Sequence, residues 1–109
     1  MADSVVKVCQ TSDVPENGVK SFEVGNNVIA VYNIEGEFYA TDNECTHGAA
    51  SLAEGMLDGD VIECALHFGA FNVKTGEVVA PPCFVPLRTY KVVVQDGNVM
   101  VDLDKEAGE

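Results

Sequence analysis

Val28-Ile29-Ala30-Val31-Tyr32-Asn33-Ile34-Glu35-Gly36-Glu37-Phe38-Tyr39-Ala40-Thr41 reads as two β-strands folded about a short turn. β-Branched and aromatic residues fill both arms, and Glu35-Gly36 between them is a hairpin signal because glycine tolerates positive φ. The same rhythm recurs along the chain. Strand-like runs at residues 5–8, 21–24, 61–64, 70–73, 89–95 and 99–103 alternate with turn signals at Gly25-Asn26-Asn27, Asp58-Gly59, Thr75-Gly76 and Asp96-Gly97-Asn98. In the last run Val99, Val101 and Leu103 alternate with Asn98, Met100 and Asp102, the pattern of a half-buried strand. One helical turn is expected over residues 12–16, capped by Thr11 or Ser12 and with Pro15 near its start. The whole pattern predicts an all-β protein, a small barrel or sandwich.

A chain of 109 residues suits one domain, 1–109, near the size at which a metal, cofactor or disulfide supplements the core. The 18 acids against 6 bases give a net charge of −12. That sign repels phosphate backbones and anionic lipid, so neither nucleic acid nor a membrane surface is an expected partner. Met1-Ala2-Asp3-Ser4 opens no basic-then-apolar leader, and the longest apolar-rich stretch, residues 78–87, is too short for a bilayer and holds three prolines. A cytoplasmic monomer is expected. The polar tail after Leu103 is expected to fray.

One region breaks the strand rhythm. Residues from about 43 to 83 carry short apolar pieces, both histidines and three of the four cysteines. That composition predicts a loop-rich insert organised around something other than hydrophobic packing. It holds two short motifs, Cys45-Thr46-His47 and Cys64-Ala65-Leu66-His67. Each supplies a soft thiolate followed closely by an imidazole. Two such loops facing each other would put both thiolates on one metal and both imidazoles on its neighbour, which is the ligand set of a Rieske [2Fe–2S] centre. The same residue types build mononuclear zinc sites, but those usually pair cysteine with cysteine and histidine with histidine. Unrelated buried cysteines and core histidines are a third reading, one that needs two matched pairs to arise by accident.

With these motifs in hand, the sequence resembles the Rieske ferredoxins that serve bacterial aromatic-ring-hydroxylating dioxygenases, over nearly its whole length. Beyond the motifs, residues 40–48, 57–64, 69–77 and Pro86-Leu87-Arg88-Thr89-Tyr90 carry the likeness. It implies a Rieske-type barrel or sandwich with an inserted cluster-binding subdomain at about 43–83. It also implies one [2Fe–2S] cluster per chain, with Cys45 and Cys64 on one iron and His47 and His67 on the other. The function implied is electron transport without catalysis, as a dioxygenase component in aromatic hydrocarbon catabolism. One electron at a time would pass from a ferredoxin reductase to the Rieske centre of a terminal oxygenase. Two other classes fit the residues: the small Rieske-like subunit of an assimilatory nitrite reductase, and a zinc-stabilised interaction module.

The resemblance carries further expectations. Pro81-Pro82 would belong to a loop covering the cluster. High-potential respiratory relatives have a disulfide cysteine, a serine and a tyrosine where Leu66, Gly69 and Phe71 stand here, so a low potential is implied. Ala65, where many members have proline, and Phe68, at a variable position, depart from the pattern without touching a ligand. Cys9 and Cys83 are expected to be small buried residues rather than a disulfide in a reducing cytosol. Residues 21–73 contain no lysine or arginine but nine acids, among them Glu44 and Glu63 beside the ligand cysteines. This stretch is expected to steer basic faces of redox partners.

Overall fold

The computed structural model describes residues 5–44, 51–64, 69–80 and 85–107. Its strands are β1 (Val5–Gln10), β2 (Gly18–Val24), β3 (Asn27–Ile34), β4 (Glu37–Asp42), β5 (Met56–Asp58), β6 (Val61–Glu63), β7 (Ala70–Asn72), β8 (Val78–Ala80), β9 (Thr89–Gln95) and β10 (Asn98–Asp102). They form an antiparallel six-stranded sheet in the order β1-β10-β9-β4-β3-β2 and a four-stranded sheet in the order β5-β6-β7-β8. The all-β expectation holds. The opening stretch is the β3–β4 hairpin, with Ile34 opposite Glu37 and both turn residues at positive φ, Glu35 at 53° and Gly36 at 91°. Two left-handed residues in a two-residue loop make the turn whose twist matches the flanking strands.

Near the N-terminus the details differ from expectation. The helical turn is a 3-10 turn at Thr11–Asp13 rather than residues 12–16, and Pro15 lies beyond its end. Val14 has already turned extended (φ −117°, ψ 111°), as a residue before proline is driven to do. Gln10 takes the cap position, its N–H donating to Asp13 Oδ2 at 2.9 Å. Upstream, the register of β1 shifts between Lys7 and Cys9, a bulge that leaves Cys9 buried as a free thiol. Burial pushes that thiol up to about 11, so it stays protonated and packs as a small apolar group.

β3 explains how the two sheets come together. Successive strand residues face opposite sides, yet every residue from Ile29 to Ile34 is buried. Ile29 and Val31 pack with Cys9, Val14, Ala40, Tyr90, Val99 and Val101. Ala30, Tyr32 and Ile34 share a second core with Leu52, Ile62, Cys64, Phe71, Val73 and Leu87. The second core exists because β5 to β8 are inserted between β4 and β9, which themselves pair through Ala40–Tyr90 and Thr41–Thr89. The insert is therefore better packed than its composition suggests. Ile62 of β6 and Phe71 of β7 are joined there by Leu52, Val73 and Leu87 from the turns and segments around the short strands, and by Ala30, Tyr32 and Ile34 of β3.

Gly55, at the start of β5, marks a close backbone approach inside the insert. A Cβ there would stand 2.0 Å from the Glu63 carbonyl oxygen, a backbone atom that cannot swing aside. Gly55→Ala is expected to destabilise the fold by about 1–3 kcal/mol through overpacking, measured by equilibrium denaturation. A loss below about 0.5 kcal/mol, the range of ordinary surface substitutions, would mean that β5 and β6 separate freely at this point.

Candidate metal centre

Cross-strand partners align in a row across the four-stranded sheet: Met56 with Glu63, Glu63 with Ala70, and Ala70 with Ala80. The turn at Gly59-Asp60 closes the opposite end of the β5–β6 hairpin. Three segments continue from the near side of this row. Residues 65–68 lie between Cys64 and Gly69, residues 81–84 follow Ala80, and residues 45–50 return through Ser51 and the 3-10 turn Leu52–Glu54 that leads into β5. The sheet thus flanks the second cysteine–histidine motif on both sides and precedes the proline pair, whereas the first motif follows β4 of the six-stranded sheet and leads back to β5 through Ser51 and the 3-10 turn.

The base of the first motif is tied from both sides. Glu44 and Ser51 form an isolated antiparallel bridge. Asn43, 8% exposed, donates its backbone N–H to the Val28 carbonyl at 3.0 Å and accepts from the Leu52 N–H at 2.8 Å. Its side chain donates from Nδ2 to Ser51 Oγ at 2.9 Å and accepts from the Ala53 N–H at Oδ1, 3.1 Å. One residue earlier, the Asp42 N–H donates to the Arg88 carbonyl at 3.0 Å, and the Tyr90 hydroxyl donates to Asp42 Oδ1. Burial, reinforced by the Asp42 carboxylate, pushes Tyr90 up to about 12, so the phenol remains the donor at neutral pH. Behind it Thr41 Oγ1 donates to the Asp42 carbonyl and lies 2.8 Å from the buried Tyr32 hydroxyl.

The base of the second motif is closed by the backbone. The Cys64 N–H donates to the Gly69 carbonyl at 2.7 Å, and both residues are buried. Cys64 follows directly on β6, has no exposed surface and is not in a disulfide. Its neighbours in the second core are Leu52, Ile62, Phe71 and Leu87.

Of the four expected ligands, the structure therefore places Cys64. Cys45, His47 and His67 lie outside the described residues, as do Leu66, Pro81-Pro82 and Cys83. Among the described residues no group of three or more His, Cys, Asp or Glu side chains could hold a metal ion. The donor set still fits a two-iron cluster. Cys64 offers a water-shielded sulfur directly after β6, and the remaining expected donors are two thiolate- or imidazole-type residues after Glu44 and one between Cys64 and Gly69. Phe71 is a core residue without a hydroxyl, and Gly69 has no side chain, so neither gives sulfur a hydroxyl donor. Sequence reading missed Asn43 and Ser51, whose types are common in any turn.

Comparison with known proteins agrees with this geometry. Residues 4–91 match the sequence profile of the Rieske [2Fe-2S] domain. The chain is 49% identical over 102 residues to ferredoxin CarAc of Metapseudomonas resinovorans, covering 93% of this chain and 95% of that one. It is 42% identical, also over 102 residues, to the biphenyl dioxygenase ferredoxin subunit of Pseudomonas sp. strain KKS102, covering 93% and 94%. Among solved structures, one in the complex of reduced oxygenase and oxidised ferredoxin in carbazole 1,9a-dioxygenase superposes with a TM-score of 0.88 at 48% identity, covering 94% of this chain and 96% of that one. Family match, fold and the buried Cys64 at the root of a cysteine–histidine loop agree: the chain belongs to the Rieske [2Fe–2S] family, as an electron-transfer ferredoxin.

Proposed function

We propose that this protein carries single electrons from a ferredoxin reductase to the terminal oxygenase of an aromatic-ring dioxygenase system. The observation that carries the proposal is the buried Cys64 directly after β6, in a chain so similar to dioxygenase ferredoxins. One [2Fe–2S] cluster per chain supplies a one-electron couple when bound. Cys45 and Cys64 hold one iron and His47 and His67 the other, in one Rieske domain whose cluster-binding part spans about 43–83. Cys64 brings its sulfur from inside the second core, which keeps water from that side of the site. Asp42, Asn43 and Ser51 hold the first loop at its base.

Docking follows from charge. Glu44 and Glu54 are exposed beside the first loop, and Met56 is 72% exposed at the sheet edge. Lys74, the first base after the acidic stretch, is drawn off to Tyr39, its Nζ 5.5 Å from the ring centre. Arg88 stacks over Tyr90 at 4.9 Å and donates to the Leu103 carbonyl. An acidic rim with an apolar centre suits a partner whose docking face is basic. Among the described residues no helix is long and apolar enough to cross a membrane. We place the protein in the cytoplasm, where the free Cys9 thiol suits a reducing environment.

Reconstitution of purified protein with a flavin-dependent reductase and a Rieske oxygenase tests the proposal: turnover should require all three, and turnover unchanged without this chain would refute it. Cys45→Ser and Cys64→Ser should each lose the visible spectrum and the iron, while circular dichroism retains the six-stranded sheet, which has its own core. Native iron content in either variant would remove that cysteine from the ligand set.

Protein-film voltammetry should give a potential near the low end of the Rieske range, about −150 mV, because Gly69 and Phe71 offer sulfur no hydroxyl. A strongly positive value would mean that other donors dominate.

Reduction by the reductase at limiting concentration should slow with salt, as the Debye length falls from about 30 Å at 0.01 M to about 8 Å at 0.15 M. Stopped-flow rates should fall further for Glu44→Lys than for Asp104→Lys in the exposed tail. Equal losses would reduce the acidic stretch to a solvated surface.

A further inference from the structure

We infer that the carboxamide of Asn43 is a clamp that fixes the span of the first ligand loop, making Asn43 a positioning residue for Cys45 and His47. The inference rests on the ligand assignment proposed above. Asn43 stands just beyond β4 with its backbone tied to Val28 of β3, so it is anchored to the six-stranded sheet. From that anchor its backbone carbonyl, Nδ2 and Oδ1 engage three consecutive residues on the returning side of the loop: Leu52, Ser51 and Ala53. The ends of the span between Glu44 and Ser51 are thereby held together by the backbone and the buried side chain of one residue, beside the Glu44–Ser51 bridge. The described base of the second loop relies on a backbone bond, Cys64 to Gly69.

A clamp of this kind acts on geometry more than on overall stability. A buried polar group left without its partner is costly, and here the groups stranded by loss of the carboxamide, the Ala53 N–H and the Ser51 hydroxyl, belong to the loop's own return. The returning side of the loop would relax to recover those bonds, so that the two ends of the segment carrying Cys45 and His47 would no longer be held at one separation. Asn33 provides an internal standard. It is equally buried at 8%, and its side chain likewise makes two bonds, Nδ2 to the Val14 carbonyl at 3.0 Å and Oδ1 from the Gly36 N–H at 2.9 Å. It joins the β3–β4 turn to the N-terminal segment, outside the insert.

The test compares Asn43→Ala, Ser51→Ala and Asn33→Ala in the cluster-loaded protein. Cluster loss to an iron chelator and the electron paramagnetic resonance line shape of the reduced state are followed alongside denaturant midpoints. Asn43→Ala should release iron about tenfold faster than the parent and broaden the resonance lines. Ser51→Ala, losing one of the two side-chain bonds, should release it about threefold faster. Asn33→Ala should lower the midpoint while leaving release rate and line shape near the parent's. Matching release rates and line shapes for the Asn43 and Asn33 variants would overturn the inference. If Asn43→Ala does not fold, parental release from Ser51→Ala overturns it and accelerated release supports it. Cys45→Ser loses iron if the ligand assignment is right. If that variant kept its iron, the assignment itself would fall, and the positioning role with it.

Discussion

Both faces of β3 must be kept from water, and the arrangement of the molecule follows from that requirement. Full burial of Ile29 and Val31 contributes about 1.5–3 kcal/mol each, and the six-stranded sheet provides it by curling β1, β9 and β10 over one face. The opposite face presents Tyr32 and Ile34, which no strand of that sheet covers. The insert covers them: Ile62 of β6 and Phe71 of β7, with Leu52 of the 3-10 turn and Leu87 of the segment before β9, pack onto β3. Covering β3 in this way fixes where the insert's open edge lies. Cys64, directly after β6, is thus positioned by a packing problem solved elsewhere in the chain.

The site inherits rigidity from that packing at different points. Cys64 is itself a member of the second core, so its sulfur cannot wander without opening a cavity among Ile62, Leu52 and Phe71. The first motif has no such member among the described residues. Its approach is instead held by polar contacts, from Tyr32 and Thr41 through Asp42, pinned by Tyr90, to Asn43. Cys64 and the approach to the first motif are therefore held by different physical means, one by burial and one by hydrogen bonding. An electron carrier benefits from both, because a cluster held in one geometry reorganises little when its charge changes.

How much of this was legible in the sequence depended on how local each signal is. The β3–β4 hairpin could be read because Glu35-Gly36 separates two apolar runs, and the family because a cysteine and a histidine two or three residues apart, twice, admit few chemistries. The helical turn was misplaced because Pro15 suggested a start, whereas its stronger effect was to force Val14 out of helix. The packing of the insert is hard to see in sequence because Leu52, Ile62, Phe71 and Leu87 are spaced singly along short strands, a 3-10 turn and a connecting segment. The residues they meet, Tyr32 and Ile34, lie far upstream. β5 escaped notice for the same reason: Met56-Leu57-Asp58 has no pattern of its own and is a strand because β6 pairs with it. Asn43 gave no signal, since an asparagine before a loop is ordinary and only the fold reveals what it bonds.

One mixed-ligand, two-iron cluster on this chain exchanges one electron. Coulometric titration of protein assayed for iron and acid-labile sulfide measures it directly. The account predicts two irons, two sulfides and one electron per chain. A single zinc ion, with no sulfide and no electron taken up, would contradict it.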